Sequence, residues 1–184
     1  MDIPRNSLLL ATLLTVTALL LPSPLSAQAP AKAEKLETKL RIAVLKATKD
    51  LKVALIKPAE LKAILEDSNL VLIDVRKPRE QEVSMLPHAL TTLEFADRFR
   101  HGIPKEKRLV VYCTIGYRSG KYAEELAKQG IKAETLEGGV LAWSFIGGKF
   151  LVKDAKGDWS ETNRIHVYDP EWNIVHPDYV AVAI

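Results

Sequence analysis

The stretch Leu109-Val110-Val111-Tyr112-Cys113-Thr114-Ile115-Gly116-Tyr117-Arg118-Ser119 decides the fold of this chain. Leu109 to Tyr112 is a continuous apolar run and reads as a buried strand. Arg118 to Gln129 reads as a helix that stops at Gly130, as a left-handed C-cap would make it. Between them a short loop carries Cys113. A loop between a strand end and a helix N-terminus aims successive backbone N–H groups and the positive end of the helix dipole at one point, which favours an anion there and thiolate over thiol. Gly116 supplies a residue that tolerates positive φ where backbone amides must face inward. Ser119 is expected either to cap the helix or to donate to the sulfur. Arg118 is expected either to bind an anionic substrate or to pair with a surface carboxylate.

Outward from this loop, short apolar runs alternate with helical stretches. Val53 to Ile56, Leu70 to Ile73 and Ile131 to Leu136 read as strands, and Pro58 to Leu65, Leu93 to Phe99 and Val140 to Phe145 as helices, the last opening after the Gly138-Gly139 turn. That alternation predicts an α/β domain over residues 51–148, a parallel sheet between two layers of helices, with ligands bound at the carboxyl ends of the strands.

Two segments flank it. In residues 28–50, Leu36, Leu40, Val44 and Ala47 recur at helical spacing, so this charged segment is expected to be a covering helix or a spacer. Residues 149–184 are expected to form a C-terminal extension packed on the domain. It has hairpin character around Ala155-Lys156-Gly157-Asp158, an alternating stretch from Arg164 to Tyr168, and four large aromatic residues, Trp159, Tyr168, Trp172 and Tyr179, for core packing, a cover over the domain or, as the alternative, a substrate gate.

The N-terminus reads as a secretory signal peptide, residues 1–27. Ser7 to Leu21 is apolar and uncharged but shorter than the ~18 residues needed to span a bilayer, and small residues precede a cleavage point after Ala27. Export, periplasmic or beyond, without a retained membrane anchor is the expectation. The net charge of +3 is small and the basic residues are interspersed with acidic ones, so neither nucleic-acid nor membrane-surface binding is indicated. Cys113 is the only cysteine. In an oxidising compartment an unpaired thiol is either a buried apolar residue or a group kept for chemistry, and its neighbours favour chemistry. The four histidines, His88, His101, His166 and His176, are scattered without ligand spacing, so neither a metal nor a cofactor is expected.

Cys113 to Ser119 resembles the Cys-x-x-Gly-x-Arg-Ser loop of single-domain rhodaneses. Asp74-Val75-Arg76 is similar to the family's Asp-x-Arg, Glu80 and Pro87 stand at its glutamate and proline positions, and Gly138-Gly139 with Ala142-Trp143 resembles its closing motif. One stretch departs: Ser84-Met85-Leu86-Pro87-His88-Ala89 stands where the family usually has Gly-His-Ile-Pro-Gly-Ala. The resemblance implies a five-stranded parallel sheet with helices on both faces, and a Cys113 persulfide that passes its outer sulfur to a nucleophile.

On that reading the donor is a small sulfane-sulfur compound such as thiosulfate. Amides of Thr114, Ile115, Gly116, Tyr117, Arg118 and Ser119 hold the negative sulfur, and Asp74 and Arg76 hold the loop in shape. With no second cysteine, the acceptor is external, cyanide or a thiol, and a protein partner is left open. Two rivals stand beside it. A phosphatase or arsenate reductase would use a longer loop between cysteine and arginine, whereas four residues intervene here, Thr114 to Tyr117. A non-catalytic exported module would bind a partner or sense oxidation through Cys113.

Overall fold

The computed structural model describes residues 24–183; the apolar run Ser7–Leu21, read above as part of a signal peptide, lies outside the described residues. Five strands form the central sheet: β1 (Ala54–Ile56), β2 (Leu70–Asp74), β3 (Leu90–Thr91), β4 (Arg108–Tyr112) and β5 (Ala133–Leu136). Their order is β1-β5-β4-β2-β3 and every pairing is parallel. The register pairs Asp74 with Tyr112, so the ends of β2 and β4 release their loops on the same rim. Cys113 follows on that rim.

Alternation along the two central strands divides the core. Leu72, Val110 and Tyr112 face one side, with α2 (Pro58–Ala63) and α6 (Gly139–Phe145) contributing Leu61, Val140, Leu141 and Trp143. Val71, Ile73, Leu109 and Val111 face the other, against Phe95 of α4 (Thr92–Arg98) and Ala123 and Leu126 of α5 (Tyr117–Lys128). Both faces are covered, which is why these strands read as unbroken apolar runs. A single helical turn, α3 (Pro78–Gln81), completes the domain.

The flanking segments belong to the first of these cores. The helix α1 (Pro24–Thr48) buries Leu40 and Val44 in it, so it is a covering helix and not a spacer. The extension adds the antiparallel hairpin β6 (Phe150–Lys153) and β7 (Trp159–Thr162), then β8 (Arg164–His166) paired in parallel with β9 (Val180–Val182). Phe150, Ile165, Val167, Ile174 and Val175 are buried in the same core, with Trp172 and Tyr179 half-buried against it. Trp159 and Tyr168 stay out of this core: both are exposed, and the Trp159 ring lies under the Lys153 ammonium at 5.5 Å.

Candidate active site

The loop after β4 is held from three directions. Gly116 adopts φ +104° and serves as the N-cap of α5, so the helix starts at Tyr117. Its N–H donates to Cys113 Sγ at 3.2 Å, the one backbone amide that reaches the sulfur among the described residues; the other amides from Thr114 to Ser119, expected to share this task, do not reach Sγ. From the opposite side, the first turn of α6 closes on the loop backbone. The N–H groups of Val140 and Leu141 donate to the carbonyls of Cys113 and Thr114 at 3.0 and 3.2 Å. This contact requires Gly139, at φ +54°, because a Cβ there would overlap the carbonyl of Cys113 and the backbone of Thr114.

Ser119 is not the helix cap. It lies inside the first turn of α5, buried, because Gly116 has already turned the chain into the helix. Its hydroxyl is 3.6 Å from Cys113 Sγ and 3.1 Å from the Gly116 carbonyl, while Thr135 Oγ1 donates to it at 2.5 Å. With a proton received from Thr135, the single Ser119 proton is free to turn toward the sulfur when that atom carries charge.

Arg118 pairs with a carboxylate, but a buried one. Nη1 and Nη2 donate to Glu80 Oε2 and Oε1, both at 2.7 Å, and Nη2 also donates to Thr114 Oγ1 at 2.9 Å. The guanidinium is thereby tied to the loop's own side chain and to α3. Burial by itself would raise the Glu80 pKa, yet the hydrogen bonds from Arg118 and from the Lys77 N–H, with the charges of Arg118 and Arg76, bring it down to about 2. Burial likewise opposes the Arg118 charge, and the Glu80 hydrogen bonds together with the charges of Cys113 and Glu80 outweigh it and raise the pKa.

Asp74 and Arg76 form a second buried pair. Arg76 donates from Nε and Nη2 to both Asp74 oxygens and from Nη2 to the Ser84 carbonyl at 2.5 Å. Tyr112 completes the set, donating to Asp74 Oδ2 at 2.8 Å and accepting from the Leu86 N–H at 3.1 Å. Neither Asp74 nor Arg76 hydrogen-bonds to the sulfur; they pin the 84–86 loop to the rim. The departure at residues 84–89 is local: His88 sits at φ +61°, where the family has glycine, exposed and 3.3 Å from Glu66.

Cys113 is 1% exposed and lies at the floor of a cleft of about 790 Å³. One wall is α1, through Lys39, Ile42, Ala43, Lys46 and Ala47. The other is the extension, through Tyr168, Glu171, Trp172 and Ile174. Tyr168 adopts φ +69°, its N–H donates to His166 Nδ1 at 2.9 Å, and its ring lies 5.2 Å from the Arg118 guanidinium. His166 is fully buried with Nε2 unpartnered, and burial, with the charges of Arg76, Arg79 and Arg118, keeps its pKa below the ordinary value despite Glu80. Sequence reading names Tyr168 and Trp172 as cover but does not bring Lys39, Ile42, Lys46 or Glu171 to the site. His166 is buried although it stands on the same face of β8 as the exposed Arg164, and no sequence marker announces positive φ at a tyrosine. Among the described residues, no group of three or more His, Cys, Asp or Glu side chains is placed to hold a metal.

The Rhodanese-like domain family matches residues 57–145. The tRNA uridine(34) hydroxylase of Salmonella arizonae is 31% identical over 126 residues, 57% of this chain and 35% of that protein. The chain thus spans about a third of the length of the curated relatives it matches. Among solved structures, a rhodanese-like domain protein from Staphylococcus aureus is 30% identical, with 55% of this chain and 100% of that one covered and a TM-score of 0.47. A rhodanese-related protein from Thermoplasma volcanium is 22% identical, with 54% and 99% covered and a TM-score of 0.46. Residues 57–145 of this chain thus form a rhodanese-like domain.

Proposed function

We propose that the protein is a sulfurtransferase that carries a sulfane sulfur as a persulfide on Cys113. The observation that carries this reading is the environment of Sγ: a lone thiol at the floor of a cleft, with the Gly116 N–H and the Ser119 hydroxyl turned on it and no carboxylate or histidine hydrogen-bonded to it. Donors of this kind stabilise negative charge on sulfur both before and after it accepts a second sulfur. In the first half-reaction the Cys113 thiolate attacks the outer sulfur of thiosulfate, the donor S–S bond breaks, and sulfite leaves with the electron pair. In the second, cyanide or a thiolate attacks the outer sulfur of the persulfide and leaves as thiocyanate or as a new persulfide. No proton or outside electron is needed in either half.

Arg118 argues against the oxyanion chemistry of a phosphatase. A phosphate-binding loop needs its guanidinium turned into the loop, and here the guanidinium is turned onto Glu80 in a two-pronged pair, with Thr114 on one nitrogen. Export belongs to the same proposal on the strength of the apolar run Ser7–Leu21, and N-terminal sequencing of protein from the exported fraction checks it. Incubation with thiosulfate is expected to raise the intact mass by one sulfur, cyanide to remove it, and Cys113→Ser to abolish both. A wild type that gains sulfur from neither thiosulfate nor a persulfide is instead a binding or thiol-sensing module.

A further inference from the structure

The two walls of the Cys113 cleft, α1 and residues 168–174, lie outside the residues that match the family. Resting on the sulfur-transfer reading, we propose that these walls bind the organic body of the sulfur donor. The donor class is an anionic compound that presents a terminal sulfane sulfur on an apolar chain or ring, such as a thiosulfonate or an organic persulfide.

Size is the first ground. At about 790 Å³ the cleft is on the scale of sites that enclose whole organic molecules, roughly 300–1,000 Å³. Thiosulfate would leave most of it to water. Chemistry is the second. Ile42, Ala43, Ala47, Ile115, Trp172 and Ile174 present an apolar lining directly above the thiol. Ile42 is 64% exposed, an apolar side chain left open on the cleft side of a helix whose opposite face is packed in the core. Such a lining gives nothing to a small, strongly hydrated dianion and much to a hydrocarbon body.

Charge is the third ground. Arg118 holds three of its five N–H groups on Glu80 and Thr114, its charge is paired with Glu80, and the Tyr168 ring lies over it. The cleft's cations in no ion pair among the described residues are Lys39 and Lys46, two turns apart on α1, against the single carboxylate of Glu171. The walls are also fixed in place. Tyr168 is held in a left-handed conformation, uncommon for a tyrosine, by the hydrogen bond to His166 and the contact with Arg118, the over-determined strain typical of functional sites.

The transfer itself balances without added reagents. The Cys113 thiolate attacks the sulfane sulfur of R–SO₂–S⁻, that S–S bond breaks, a new one forms to Cys113, and the sulfinate R–SO₂⁻ leaves with the electron pair. From a persulfide R–S–SH the thiolate R–S⁻ leaves in the same way.

The test is a series of n-alkyl thiosulfonates from methane to butane, which share one reacting head and differ only in apolar length, run beside the corresponding alkyl persulfides. For at least one head group, kcat/KM is expected to rise about tenfold or more across the series, and the head turned over faster identifies the source. The rise should flatten in Ile42→Ser, an exposed position whose substitution does not threaten the fold, and in Trp172→Ala. A wild-type profile that is flat for both heads while Cys113 still gains sulfur overturns this proposal alone. A rise that survives in both variants overturns the placement. Failure to gain sulfur from any donor removes the sulfur-transfer reading beneath it.

Discussion

The floor of the cleft is seven consecutive residues, Cys113 to Ser119, tied by hydrogen bonds to α3, to the first turn of α6 and to Thr135 on β5. Its walls come from Lys39–Ala47 and Tyr168–Ile174, two segments separated by most of the chain, and face the site largely with hydrocarbon. The floor falls within the family match and the walls fall outside it. The difference teaches a division of labour. A polar, densely bonded loop supplies the reacting group, and appended elements that already serve the core shape what reaches it. The two regions should therefore fail differently, the floor through stability and activity together, the walls through substrate choice.

The sharpest way to break that contrast is at Glu80. Glu80→Gln leaves the buried Arg118 guanidinium without its carboxylate and is expected to destabilise the protein by about 3 kcal/mol at pH 7. The folded-state pKa of Glu80, about 2, lies below the unfolded value near 4.5, so its contribution is full above pH ~4.5 and fades as pH falls toward 2. Denaturant melts at pH 7 and pH 3 should show the gap between wild type and variant narrowing at the lower pH. A gap equal at both would mean that the pair is not what ties the loop to α3.

Gly139→Ala comes next. The added methyl is forced into the carbonyl of Cys113 at a positive φ, at an expected cost of about 2 kcal/mol, and sulfur transfer falls with it because the loop is displaced. An unfolding midpoint and a turnover measurement on the same sample decide it; full activity in a destabilised variant would separate the loop's shape from its chemistry. His88→Gly is the smallest effect. It relieves a left-handed histidine and loses only an exposed contact to Glu66, so Tm should rise by about 1–3 °C with transfer unchanged. That outcome marks the departure at residues 84–89 as local strain with no part in the site.

Legibility in the sequence follows the same division. The strands at Leu70–Asp74 and Arg108–Tyr112 are buried on both faces, so they stand out as local apolar runs, and Gly116 and Gly139 mark positive φ because other residues there are strained. Where meaning depended on a distant partner it was hidden. Arg118 could be read as pairing with a carboxylate, but not with a buried one held by α3. Ser119 looked like a cap because a helix start one residue late, at Arg118, hides the turn already made by Gly116. Residues 28–50 showed helical spacing, and Leu40 and Val44 declared the packed face, yet nothing local said that Ile42 and Lys46 on another face would look down on Cys113. Tyr168 and His166 carry no motif at all; only the fold brings them to Arg118.

The central claim is tested most directly at Cys113 itself. The purified protein is incubated with a sulfane-sulfur donor, alkylated to trap thiols and persulfides, and digested, and the mass of the peptide containing Cys113 is read. The account predicts that this peptide carries one sulfur atom more than in the untreated protein and loses it on exposure to cyanide. A Cys113 peptide alkylated directly on its own thiol, with no added sulfur after thiosulfate, thiosulfonate and persulfide alike, would contradict it.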